Sequence, residues 1–296
     1  MRSRLPPWFK KKMPDAVMMK RMKGLLGDLS LHTICESALC PNMGDCFSKG
    51  TATFLILGDI CTRNCTFCAV QKGIPKPLDE KEPENVAEAV AAMELRHAVI
   101  TSVTRDDLPD GGADHFAKTI RILKDRLPAV TVEVLVPDFR GSPEALRWVA
   151  SARPDVINHN VETVPRLYPE VRPLANFEQS LRLLRQAKVL DPGIVTKSGV
   201  MVGLGERDEE LIATMSALRE AGCDLLTLGQ YLQPSPRHHP VIRYAPPEEF
   251  DRYARLAREM GFLGVASAPL VRSSFCAAEL FEQAKQAGPF LKPAES

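Results

Sequence analysis

The sequence predicts an α/β fold of the partial (β/α)6 barrel type, with an N-terminal extension and a C-terminal closing segment. From residue 51, short β-branched apolar runs alternate with amphipathic stretches, which implies a parallel sheet with helical crossovers. The runs are almost continuously apolar, as strands covered on both faces are. Polar groups gather just after the runs: Asp59, Thr104-Arg105-Asp106-Asp107, Asn158-His159-Asn160, Gly203-Leu204-Gly205-Glu206 and Gln230. Periodicity alone leaves an open doubly wound sheet in competition. Polar residues at the C-terminal ends of successive strands favour a barrel, whose sites are built there.

In order, the expected strands are 53–58, 97–103, 130–136, 155–159, 196–202 and 224–229. The expected helices are 84–95, 113–126, 143–152, 177–190, 208–221 and 247–260. Ser142-Pro143-Glu144 offers an N-cap followed by proline at the first helical position, and Asn176 with Gln179 has capping-box spacing. Pro247-Glu248-Glu249 puts proline and acids in a first turn, and Gly222 is a C-terminal stop. Three regions are expected: 1–50, a basic arm and a cysteine loop; 51–262, the barrel; and 263–296, a closing segment whose Pro/Ala tail is read as disordered.

No apolar run is long enough for a membrane span, and the first residues lack the apolar core of a secretory signal. A cytoplasmic chain with no membrane and no nucleic-acid partner is expected; the net charge is +1. Residues 1–27 nevertheless carry Arg2, Arg4, Lys10, Lys11, Lys12, Lys20, Arg21 and Lys23 against Asp15. Such an arm either attracts an acidic surface or is a solvated tail. Pro6, Pro7 and Pro14 are read as interrupting any helix in it.

Eight cysteines include two triplets, Cys35, Cys40, Cys46 and Cys61, Cys65, Cys68. Clusters of odd number in an intracellular chain read as metal ligands rather than disulfides. In the second triplet, spaced C-x3-C-x2-C, thiolates suit zinc or an iron–sulfur cluster. Structural zinc asks for four protein ligands, and no fourth lies near. Three thiolates on a [4Fe–4S] cluster leave one iron open for a small molecule. The first triplet, spaced C-x4-C-x5-C, fits a separate cluster, a zinc loop or a redox disulfide.

With Phe67 in its aromatic slot, the second triplet resembles the signature of the radical S-adenosylmethionine superfamily, C-x3-C-x-aromatic-C. The two triplets together, with Asp106 to Gly112, Asn158 to Thr163, Lys197 to Glu206, Gly229 to Pro234 and Arg272-Ser273-Ser274, resemble the lipoyl synthases over roughly residues 5 to 282. That resemblance implies two [4Fe–4S] clusters and S-adenosyl-L-methionine as cofactors. Cys61, Cys65 and Cys68 would hold the radical-generating cluster. Cys35, Cys40, Cys46 and the unusual oxygen ligand Ser274 would hold an auxiliary cluster that donates sulfur. The family has tyrosine where this chain has Phe275. Sulfur would enter at C6 and C8 of an octanoyl chain on a carrier lysine. The implied partners are octanoylated lipoyl-carrier domains, of 2-oxoacid dehydrogenase E2 and of the glycine-cleavage H protein, and an electron donor. Without the resemblance, Ser273 and Ser274 read as a helix N-cap.

The remaining residues weigh less. Gly111 and Gly112, with Asn160 and Glu162, are the expected cofactor contacts, the glycines because bare backbone permits close approach. His159 reads as a satisfied near-core histidine, His238 and His239 as loop surface, and Cys223 as core; Cys276 is a stray thiol beside Ser274. Gly199 to Gly205 lacks dinucleotide-loop spacing. The competing readings are another radical sulfur-inserting or methylthiolating enzyme, which should lack the first triplet and Arg272-Ser273-Ser274, and a non-catalytic iron–sulfur carrier.

Overall fold

The computed structural model describes residues 5–9, 16–34, 42, 46 and 51–287. Cys35 and Cys40, Lys10 to Lys12 and the tail from residue 288 lie outside the described residues.

The N-terminal arm contains a helix, α1 (Ala16–Asp28), where prolines had suggested none. All three prolines precede residue 16, so nothing interrupts the segment after them, and Leu26 and Met22 pack on the main core. A short strand, β1 (His32–Thr33), then pairs antiparallel with β2 (Thr51–Ile56). After β2 come a small ladder of β3 (Ile60–Cys61) and β4 (Gln71–Lys72), then α2 (Glu82–Ala92) and β5 (His97–Ser102). Next follow α3 (Ala113–Arg126), β6 (Thr131–Leu135), α4 (Pro143–Ser151) and β7 (Val156–Asn158). The chain continues through α5 (Tyr168–Val171), α6 (Phe177–Leu190), β8 (Val195–Val202), α7 (Asp208–Glu220) and β9 (Leu225–Gln230). It finishes with α8 (Pro247–Glu259), β10 (Gly264–Ser267) and α9 (Ala277–Ala287). The caps form as expected: Ser142 accepts from the Ala145 amide, Asn176 from that of Gln179, and Gly222 takes φ 82°.

The sheet order is β1-β2-β5-β6-β7-β8-β9-β10, and every pair from β2 onward is parallel. Each strand lies beside its predecessor, with no reversal of order. A doubly wound sheet has such a reversal and a barrel does not, so the partial barrel stands. It has seven parallel strands rather than the six read from sequence, because β10 adds to β9 beyond residue 262. Two apolar layers cover the outer face beneath the helices, one over β2 to β7 and one over β8 to β10. On the inner face, Leu280, Phe281 and Ala284 of α9 pack on Val156, Val195 and Leu225, near the starts of their strands. That helix fills the N-terminal end of the barrel and leaves the C-terminal end for the loops. Among the described residues no helix is long and apolar enough to cross a membrane.

Candidate active site

Cys61, Cys65 and Cys68 lie on the loop after β2, at the C-terminal end of the sheet. A tight turn opens the loop, with Leu57 at φ 68° and Gly58 at φ 87°. The turn is held by bonds from the Leu57 amide to Glu82 (2.8 Å) and from the Arg105 guanidinium to the Leu57 carbonyl (3.1 Å). Gly112 caps α3 at φ 89°, and a Cβ there would sit 2.3 Å from Leu57 Cδ1. Gly111, at φ 63°, faces Phe139 in the same way. Turn geometry and packing thus require glycine at both positions, which also leaves their backbone bare.

The cysteine loop is clamped by four other loops. Arg63 forms paired bonds with Asp106 (2.7 and 2.9 Å) after β5 and with Asp138 (2.9 and 2.6 Å) after β6. Burial alone would lower the Arg63 pKa, but the two carboxylates override it and raise it. Thr62 accepts from the Asp106 amide and donates to the Thr104 carbonyl, and Thr66 bonds to the carbonyls of Glu170 and Val171. After β9, His238 Nε2 bonds to the Cys68 carbonyl (3.1 Å) and the His239 amide to that of Thr66 (2.9 Å). His238 and His239 are thus not plain loop surface. His239 is buried, with its ring between Glu170 and the Pro240 carbonyl. Phe67 packs against Val171, Leu204 and Tyr231 and seats the loop on an apolar patch.

The residues fit a cluster and a cofactor that bears a carboxylate. Cys61 Sγ accepts from the amides of Arg63 and Thr104, each at 3.4 Å, as cluster thiolates do. None of the three thiols is in a disulfide, and among the described residues no three Cys, His, Asp or Glu side chains gather round a single ion. A cubane takes one thiolate per iron, so its ligands stand farther apart than those of one ion. Burial pushes the Cys65 thiol up and that of Cys68 to about 11, so metal must displace protons to bind. Arg172 Nε and Asn158 Oδ1 are buried polar atoms with no hydrogen-bond partner, places a polar ligand can fill.

Around Arg172 the structure brings together the expected contacts Asn160 and Glu162. Arg172 Nη1 donates to the carbonyls of Asn160 and Val161, and Asn160 Nδ2 donates to Glu162 Oε1 (3.0 Å). Glu162 holds φ 64°, strained for a residue with a side chain. Burial raises its pKa, with Arg172, Asn160 and Arg272 opposing. His159 sits behind them, its Nδ1–H donating to the Val136 carbonyl and its Nε2 accepting from Ser180.

The C-terminal segment returns to this end of the barrel. The Gln230 amide bonds to the Pro269 carbonyl, and Asn42 Nδ2 donates to the Leu270 carbonyl at 2.5 Å. Asn42 stands four residues before Cys46, and Leu270 four before Ser274. Helix α9 starts at Ala277, so Ser273 and Ser274 are not its N-cap. Sequence reasoning missed Arg63, Asp138, Arg172 and Ser273. Asp138 follows an expected strand end, the same signal used for other polar residues; the rest needed coordinates.

A sequence profile of the Radical SAM superfamily matches residues 55–218, and one of the N-terminal domain of lipoyl synthase matches residues 1–40. The chain is 60% identical over 272 residues to the lipoyl synthase of Caldanaerobacter subterraneus, covering 92% of this chain and 95% of that one. It is 57% identical over 281 residues to that of Rubrobacter xylanophilus, covering 95% and 88%. Among solved structures it shares its fold with methylornithine synthase (TM-score 0.53, 13% identity, 95% and 87% covered). It also does so with HydG, a maturase of the [FeFe]-hydrogenase (TM-score 0.56, 15% identity, 86% and 57% covered). With both cysteine triplets, a barrel of this order and this identity over nearly its whole length, the chain belongs to the lipoyl synthase family of the radical S-adenosylmethionine superfamily.

Proposed function

We propose that this chain completes the lipoyl group on a carrier protein, with Cys61, Cys65 and Cys68 holding one [4Fe–4S] cluster and Cys35, Cys40, Cys46 and Ser274 the other. Family membership makes it a sulfurtransferase that inserts two sulfur atoms at C6 and C8 of a protein-bound octanoyl chain. The observation that carries the residue assignment is the bond between Asn42 and Leu270, which ties the loop of the first triplet to the segment of Ser274 across 228 residues. The bound clusters and S-adenosylmethionine supply hydrogen abstraction from unactivated carbon and the sulfur for the new bonds.

The chain's own residues do the rest. Arg63, Asp106 and Asp138 lock the cysteine loop, and the amides on Cys61 favour electron-rich sulfur. Arg172, with its vacant Nε, meets a carboxylate of the cofactor, while Asn160, Glu162 and the backbone of Gly111 and Gly112 meet its polar groups. His159 is neutral and saturated, so it moves no proton. In this reading residues 51–262 run the radical chemistry, and 1–50 with 263–296 serve the auxiliary cluster.

The substrates are octanoylated lipoyl-carrier domains in the cytoplasm, those of 2-oxoacid dehydrogenase E2 or the H protein, and an electron donor acts with them. One described contact places the start of the arm at this end of the barrel: the Phe9 ring packs on Tyr244 (5.7 Å). The test is an anaerobic reaction on an octanoyl-lysine peptide followed by mass analysis. A two-sulfur product with 5′-deoxyadenosine is expected; no sulfur product from protein holding both clusters would overturn the reading.

A further inference from the structure

The turn that carries Ser274 is fixed to the barrel by its neighbour. The Phe275 amide donates to the Arg272 carbonyl at 2.9 Å, which makes Ser273 and Ser274 the two central residues of a β-turn. Ser273 Oγ accepts from Asn158 Nδ2 at 3.0 Å and donates to Asn160 Oδ1 at 3.1 Å. Both asparagines are themselves held. Asn158 Nδ2 also donates to Glu133 Oε1 (2.9 Å), a fully buried carboxylate that Lys197 and His97 engage from β8 and β5. Asn160 gives its amide hydrogens to Glu162. Gly199 leaves room for the arrangement, since a Cβ there would stand 2.8 Å from Asn160 Oδ1.

The result is one continuous hydrogen-bonded path, Lys197–Glu133–Asn158–Ser273–Asn160–Glu162, inside the barrel. Ser273 is the member contributed by the C-terminal segment. Its hydroxyl uses its one hydrogen on Asn160 and accepts from Asn158, so the serine is anchored in both directions. The hydroxyl of Ser274, by contrast, bonds to no described residue. Two adjacent serines thus divide two tasks.

We propose that Ser273 is the positioning residue for Ser274: by pinning the turn to Asn158 and Asn160 it sets where the Ser274 oxygen stands and how far it can withdraw. The proposal rests on the reading of Ser274 as an auxiliary-cluster ligand. A ligand that must release iron during the reaction needs a support that does not release with it, and a path ending on a buried ion pair provides one.

The test loads the full chain with 57Fe in both clusters and compares Ser273→Ala, Ser273→Thr and Ser274→Ala with the parent. Mössbauer spectra report the oxygen-ligated iron, and a chelator reports how fast the auxiliary cluster loses metal. Ser274→Ala should abolish the oxygen-ligated signal. Ser273→Ala should alter that signal and raise the chelation rate several-fold, and Ser273→Thr, which keeps the hydroxyl, should restore both. A Ser273→Ala protein with the parent's signal and rate, beside an altered Ser274→Ala, overturns the proposal and leaves the ligand reading standing. An unaltered Ser274→Ala removes both. Should Ser273→Ala not fold, the isosteric pair Ser273→Thr and Ser273→Val decides: equal signals from the two overturn the proposal.

Discussion

At the scale of single residues, buried charge governs the site. Arg63 is the only described cation that joins Asp106 to Asp138, and both carboxylates meet it in paired geometry. Arg63→Gln leaves two carboxylates without their charge partner and should destabilise the chain by about 3–5 kcal/mol. Iron bound at Cys61, Cys65 and Cys68 should fall more than iron bound by the auxiliary cluster, measured as iron per chain with the two clusters separated by their Mössbauer signals. Arg63→Lys should not rescue it, because an ammonium cannot present paired donors to two carboxylates. His159 carries a pH signature. Burial, aided by Arg172, pushes its pKa from 6.5 down to about 4. A depressed folded value leaves the contribution whole above the unfolded value. It is lost as pH falls from 6.5 toward 4, because the unfolded chain takes up a proton that the folded chain refuses. The slope should be about 1.4 kcal/mol per pH unit, roughly 3 kcal/mol in all. Denaturant unfolding of the cluster-free chain across this range, with His159→Gln as comparison, should show the shallower acid loss in the variant.

At the scale of elements, the regular alternation was legible and the cross-links were not. The six expected strands and six expected helices all form, within two or three residues at each end, because periodicity and caps are local signals. Strand β10 was missed because Gly264–Ser267 is four residues with a single β-branched side chain. Helix α1 was missed because charge and proline drew the reading away from Met22 and Leu26. The clamp on the cysteine loop joins residues 43 and 75 positions apart, and such pairing follows from strand register, which a single sequence does not display. Likewise, His238 and His239 looked solvent-facing between prolines, though their partners lie 170 residues upstream or in α5. One glycine marks where two elements cross. A Cβ on Gly229 would lie 2.0 Å from the Val271 carbonyl oxygen, so β9 and the returning segment approach through that gap. Gly229→Ala should displace residues 268–272 and deplete auxiliary-cluster iron while the radical cluster persists, a split that iron counts and Mössbauer spectra of the reconstituted protein will show.

At the scale of the whole molecule, the C-terminal helix completes the interior. Leu280 is 2% exposed and packs with Phe281 and Ala284 on the inner face of the sheet. Leu280→Ala should cost about 2–5 kcal/mol by opening a cavity. It should also weaken retention of the auxiliary cluster, because α9 begins three residues after Ser274; thermal unfolding and the chelation rate check the two effects. The candidate cysteines could be picked out by spacing and Ser274 by resemblance, whereas the bonds from Asn158 and Asn160 that hold the returning turn could not, because they depend on the course of the chain. The position of that return has a bearing on biogenesis. In synthesis order the thiols of both triplets emerge by residue 68, and the last clamp on the cysteine loop by residue 239, but the serine comes only at 274. On the proposed assignment, the radical-generating centre has all three of its cysteines before most of the barrel has been made. On the same assignment, the sulfur-donating centre gains its serine ligand more than 200 residues after its cysteines have been made.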